Sequence, residues 1–109
     1  MKPRAYSRHK YSAELYKYAR EVVGDTSTLK YYFAGMFSLT AGVNKTGQMT
    51  IRADQPLQIG SLLKDIKDAN GNLILDDTIW QVSNLEPIMD AFNTIESYRM
   101  RAVKFQGTI

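Results

Sequence analysis

A chain of 109 residues, 44% hydrophobic and 23% charged, is long enough for one core that buries roughly two thirds of the unfolded surface, and too ordinary in composition for disorder. With no cysteine, disulfides and thiolate metal sites are excluded, which suits assembly in a reducing cytoplasm. Net charge is +3, but residues 1–52 hold nine Lys/Arg against three Asp/Glu (9 − 3 = +6) and residues 53–109 five against eight (5 − 8 = −3), so the basic half is expected to meet an acidic partner, nucleic acid or protein.

Met1 to Tyr11 reads as a flexible basic arm: it holds Pro3, alternates cations with Tyr6 and Tyr11, and shows no apolar period. Residues 12–109 then read as a single domain. Ser12 to Val23 supports two readings. Ser12 is a helix cap for a stripe of Leu15, Ala19, Val22 and Val23 closed by Gly24, and local chemistry favours this. The same stretch puts Tyr16 and Tyr18 on one face of a strand, with Gly24-Asp25-Thr26-Ser27 as the turn into its partner.

Beyond Gly24 the signals are β. Leu29 to Leu39 is dense in Tyr31, Tyr32, Phe33 and Phe37, with Gly35 marking a bulge or bend. Ala41 to Gln48 is a predicted loop, Met49 to Ala53 a strand ended by Pro56, and Ile59 to Leu63 a short apolar piece. Asp68 to Asn72 is a tight turn carried by Asn70-Gly71. Thr78 to Val82 alternates as a strand before Pro87. Ile95 to Phe105 closes the chain, with Tyr98, Met100, Ala102 and Lys104 on one side and Arg99, Arg101, Val103 and Phe105 on the other. Turns every 8–12 residues or so are the rhythm of a small antiparallel β-barrel or sandwich. No internal repeat is visible.

Chemistry is harder to find. The single histidine, His9, lies in the arm between Arg8 and Lys10, which oppose both a proton and a cation, so neither a His-based metal site nor a Ser–His–carboxylate set can be assembled. Asp65, Asp68, Asn70, Gly71, Asp76 and Asp77 invite a calcium-loop reading. With Gly71 at the sixth position, however, the first ligand becomes Ile66 and the last Asp77 in place of glutamate. No glycine pattern fits a phosphate loop, no apolar run reaches the ~20 residues of a membrane span, and no export leader is readable. An enzyme is therefore not expected, nor a cofactor or metal. One binding pattern stands out: Tyr6, Tyr11, Tyr16 and Tyr18 alternate with Arg4, Arg8, Lys10, Lys17 and Arg20, the rings and cations of a single-strand nucleic-acid groove. Against it stands a simpler reading, in which Tyr16 and Tyr18 pack in the sheet.

The order of these signals resembles the head-closure proteins of long-tailed bacteriophages, the head-tail joining or stopper family. Leu15 to Glu21 looks like their first strand, Gly24 to Ser27 their hairpin turn, Lys30 to Phe33 their second strand and Phe37 to Val43 their third. Ile59 to Asp65, Asn70-Gly71, Trp80-Gln81-Val82, Leu85 to Ile88 and Tyr98 to Arg101 are similar to the later segments. The likeness spans about residues 13–105 and contains no invariant chemical motif.

The resemblance implies a barrel whose copies form a ring, a hexamer, with portal and adaptor proteins above and tail proteins below. The ring would close the head on its packaged double-stranded DNA and dock the tail, so the location implied is the virion neck, assembled in the host cytoplasm. Another tail or tail-terminator subunit is the nearest alternative. The resemblance favours a strand over Ser12–Val23. It also implies a channel-facing loop matching Gly42, Asn44, Lys45, Gly47 and Gln48, although a loop this short is as easily a plain connection. Lys2, Arg4, Arg8 and Lys10 are the expected contacts of the arm with DNA or an acidic neighbour, ordering on assembly; the isolated chain is expected to be a monomer.

Overall fold

The computed structural model describes residues 11–75 and 78–107, and every regular element among them is a strand. These are β1 (Tyr11–Val23), β2 (Thr26–Val43), β3 (Met49–Ala53), β4 (Leu62–Lys67), β5 (Leu73–Leu75), β6 (Trp80–Met89) and β7 (Ile95–Lys104). Hydrogen bonding runs β1-β2-β3-β7-β6-β4, all antiparallel, and β4 pairs back onto β1, closing a six-stranded barrel with β5 added beside β4. The antiparallel β-barrel is thus present, and a closed sheet leaves its paired segments without free edges.

The barrel interior is filled by side chains, as a ring of so few strands requires. Ala13 and Leu15 of β1, Phe37 and Leu39 of β2, and Met49, Ile51 and Ala53 of β3 meet Leu63 and Ile66 of β4, Trp80 and Val82 of β6, and Met100 and Ala102 of β7. The alternation read from Met100 and Ala102 against Arg99 and Arg101 is realised, with the first pair buried. The helix signals in Ser12–Val23 are overridden. A helix would bury its stripe only against another element, whereas the strand pairs on both flanks and sends Ala13 and Leu15 into the core. Strand β1 begins at Tyr11, paired with Leu39, so the predicted arm ends one residue earlier; residues 1–10 lie outside those described.

Three predicted boundaries need correction. Lys30–Phe33 and Phe37–Val43 are one strand, not two. Gly35, at φ 104°, absorbs an extra residue as a bulge opposite the Glu14–Tyr16 step, as read at this glycine, and the strand runs on through it where the likeness implied two strands. Strand β2 also continues through Ala41, Gly42 and Val43, paired with β3, which shortens the predicted loop. Pro87 lies within β6, opposite Tyr98, on a stretch with β7 as its one partner, where a missing N–H is tolerated.

Three of the connections are built alike. Asn44-Lys45-Thr46-Gly47-Gln48, Asp68-Ala69-Asn70-Gly71-Asn72 and Asp90-Ala91-Phe92-Asn93-Thr94 each begin with an Asn or Asp whose Oδ1 accepts the N–H groups two and four residues on, at 2.8–3.0 Å. In each, the fourth residue takes positive φ: 85° at Gly47, 84° at Gly71, 61° at Asn93. This is a tight turn followed by a left-handed residue, which glycine and asparagine tolerate best. Positive φ in the second loop falls on Gly71 and not on Asn70. Because Asp fills the first place twice, Asn44→Asp should leave stability unchanged in urea denaturation. Asn44→Ala, which also strips an acceptor from the Thr46 hydroxyl, should cost about 1 kcal/mol.

The registers fix what lies at each end. The N-terminus of β1, loop 44–48 and turn 68–72 share the lower end. At the upper end β1 and β6 both run past their second neighbours. Strand β1 pairs with β4 only up to Tyr16, and β2 with β3 only from Thr40, so Tyr16–Val23 and Thr26–Phe33 form a two-stranded ribbon of eight residue pairs. At ~3.3 Å per residue it is about 26 Å long, consistent with overall extents of 56 × 34 × 30 Å. The β6–β7 hairpin projects from the same end. In the strand order the two hairpins lie across the barrel from each other, separated by β3 on one flank and β4 on the other.

Candidate functional site

The β3–β4 connection spans the upper mouth between the two hairpins and closes it. Leu57 drops into the core. Gly60 N donates to Val82 O at 2.8 Å and Val82 N to Ser61 O at 2.9 Å, tying the connection to β6, while the Tyr18 hydroxyl donates to Ile59 O at 3.1 Å and ties it to β1. At φ 101°, a Cβ on Gly60 would lie 2.9 Å from the Tyr18 ring, so only glycine lets the ring lie this close. The barrel is plugged, and among the described residues no three His, Cys, Asp or Glu side chains gather to hold a metal.

The exposed apolar surface of the described residues includes the ribbon, outside the barrel. Alternation along β1 puts Glu14, Tyr16, Tyr18, Arg20 and Val22 on the outer face, opposite Met36, Phe33, Tyr31, Leu29 and Ser27. The other face carries Lys17, Glu21 and Lys30 together with the exposed Tyr32 and Val23, and Lys30 Nζ lies 3.0 Å from a Glu21 carboxylate oxygen. The polarity is inverted: the charged face continues the barrel's inward side, and the apolar face looks out. At its base this outer face is covered. Leu62 is fully buried although it is not part of the barrel core; its neighbours across the ladder are Tyr16 and Gln81. Tyr16 meets Phe33 edge-on with centroids 5.7 Å apart, Tyr18 meets Tyr31 at 6.4 Å, and Phe105, just past β7, meets Tyr31 at 5.5 Å. Along the same face Val22 and Leu29 further out, Phe33 at the first rung and Met36 below it are exposed, Phe33 by 56%.

The tyrosine–cation pattern is split by this geometry. Tyr16 and Tyr18 share the outer face, Lys17 points to the other side, and both hydroxyls are engaged, Tyr16 donating to Glu14 at 2.8 Å. That bond to a carboxylate, with partial burial, raises the Tyr16 phenol above its ordinary pKa. Arg20, on the rings' face, donates to Ser27 Oγ at 2.8 Å. Of the predicted loop residues, Gly42 lies in β2 opposite Thr50, while Asn44 to Gln48 form the compact lower turn, closed by Asn44 N to Gln48 O at 2.9 Å, with Lys45 exposed. Lys2, Arg4, Arg8, His9 and Lys10 lie outside the described residues, as do Asp76 and Asp77 of the calcium reading. Asp68 spends one oxygen on the N–H groups of its own turn.

The second hairpin carries a feature the sequence reading missed. Asp90 pins the turn, and Phe92 at its tip is 86% exposed, flanked by exposed Met89 and Ile95. Its signal was present as the same Asx-x-x-(Gly/Asn) spacing found at 44–47 and 68–71, with an aromatic residue in the turn. Beneath it Arg99 Nη2 donates to both Glu86 oxygens at 2.9 and 2.8 Å. That contact lowers the Glu86 carboxyl below the ordinary glutamate range, with Arg101 adding a smaller pull. A depressed carboxylate stabilises the fold above its ordinary pKa of about 4.3 and loses that contribution as pH falls through the folded value. Arg99→Gln should return Glu86 towards the ordinary range in a carbon-detected NMR titration; an unmoved midpoint would refute the pairing. No known protein family, curated protein or solved structure matches the chain.

Proposed function

We propose that this chain is a non-enzymatic structural subunit that assembles with copies of itself into a ring, and that the ring is a virion neck component closing the head and docking the tail. The observation that carries the reading is the outward-facing apolar face of the β1–β2 ribbon. An isolated two-stranded ribbon is marginal in water, and exposed apolar side chains in one row mark an interaction surface. The likeness of the order of sequence signals to that of head-closure proteins suggests the location, and the basic residues before Tyr11 offer a contact for packaged DNA or an acidic neighbour.

Two measurements test this. Antibody raised against the chain should label the head–tail junction of virions; labelling on the capsid shell or the tail tip would overturn the neck assignment. Deleting residues 1–10, and not Tyr11, which is paired with Leu39, should leave the circular dichroism and melting of the isolated chain unchanged. It should reduce incorporation into particles at least about tenfold. Salt-sensitive binding to single-stranded oligonucleotides, lost on replacing Tyr16 or Tyr18, would favour the nucleic-acid reading instead.

A further inference from the structure

We infer that the outer face of the β1–β2 ribbon is covered by the β6–β7 hairpin of a second copy, so that copies join head to tail. This rests on the assembly reading above and names its contact. The two surfaces match in chemistry. The ribbon offers Val22, Leu29 and Phe33, continued by Met36 on the barrel wall, as an exposed apolar row. The hairpin offers Phe92, held out by the Asp90 turn, with Met89 and Ile95 beside it. They match in charge as well. Residues 83–97 contain Glu86, Asp90 and Glu96 and no Lys or Arg (0 − 3 = −3), and with Glu86 compensated by Arg99 of the same hairpin, Asp90 and Glu96 carry the acidic character. Residues 16–36 contain Lys17, Arg20 and Lys30 against Glu21 and Asp25 (3 − 2 = +1), and Arg20 is the charge that lies among the apolar side chains of the outer face.

Position decides the symmetry. The hairpins leave the same end of the barrel but on opposite flanks, with β3 and β4 between them. Paired strands thus lie between a chain's own hairpin and its own ribbon. Unlike patches can meet reciprocally across a two-fold, which stops at a dimer, or once per neighbour, which repeats from copy to copy; the opposite flanks favour the repeating contact, closing into a ring if the rotation allows and otherwise growing as a filament. Identical copies thereby satisfy both exposed surfaces at once.

The cysteine-free chain makes the contact directly readable. Phe92→Cys is combined in turn with Val22→Cys, Leu29→Cys or Phe33→Cys, and each double variant is oxidised at a concentration where the wild type associates. At least one pair should give a ladder of covalent oligomers. The matching single-cysteine variants should cross-link with each other about tenfold faster than either does with itself, as expected when an interface raises the effective concentration of one thiol at the other. Lys45→Cys, in the lower turn, is the proximity control. Self-cross-linking of single variants at the mixed rate, or no ladder from any of the three pairs, overturns the head-to-tail contact. If the wild type nevertheless forms rings by electron microscopy, only the contact falls. If it forms no oligomer under any condition, the ring falls with it.

Discussion

Trp80→Ala is expected to cost about 3–5 kcal/mol, the usual range for removing a large buried aromatic, and so to consume much of the stability of a chain this size. Trp80 opens β6, sits opposite Leu63 on one neighbour and Lys104 on the other, and is 2% exposed. In a six-stranded ring the interior is narrow. Among the described residues no second layer of secondary structure stands ready to collapse into the gap, and the void would be lined by Leu63 and other core residues held by ladder bonds. The indole also carries a peculiarity, since its Nε1 is buried and finds no acceptor among the described residues. An unpaired buried donor is a cost the native fold already bears. Trp80→Phe should therefore be far milder, roughly 1 kcal/mol, because it surrenders volume but no hydrogen bond. Urea unfolding followed by far-ultraviolet circular dichroism separates the two, the fluorescence probe being lost with the only tryptophan. A phenylalanine variant as damaged as the alanine one would mean that the N–H is satisfied by an internal water.

The same row of residues shows what could be read in advance. Period-two alternation in Ile95–Phe105 and the apolar Met49–Ala53 strand stood plainly in the sequence, because each strand there has one face in the core and one in solvent. The aromatic stretch Leu29–Leu39 was equally legible as β. What it could not reveal was that its first half leaves the barrel. Tyr31, Tyr32 and Phe33 look like core residues by composition, yet Phe33 is more than half exposed and Tyr31 packs against Phe105 outside the barrel. Local chemistry reports that a residue favours a pleated surface and is silent on whether that surface has a second layer over it. Ser12–Val23 was undecided for the same reason: the choice between helix and strand is made by partners outside the segment, β2 on one flank and the more distant β4 and Ile59 O on the other. The site was legible as residue types, and the strand reading already set Tyr16 and Tyr18 apart from Lys17; that their face looks outward needed the pairing with β2 and β4.

Leu29→Ser combined with Met36→Ser should abolish self-assembly while leaving the monomer's melting temperature nearly unchanged. Both side chains are exposed, by 49% and 58%, and surface positions of this kind usually move stability by less than about 0.5 kcal/mol. In the assembled state both would be buried. Fully burying such a side chain contributes about 1.5–3 kcal/mol, and here about half of that surface remains to be buried, giving roughly 2 kcal/mol for the pair. That is a loss of about 30-fold in each association constant, and because a closed ring needs every contact, the loss is compounded around it. Phe33 is spared deliberately, since its edge-on contact with Tyr16 supports the ribbon itself. Sedimentation velocity over a concentration series reads the association and a thermal melt reads the fold. Oligomers of wild-type size and affinity from the double variant would show that the outward apolar row is not what holds copies together. A large fall in melting temperature would show instead that these side chains already serve the isolated chain.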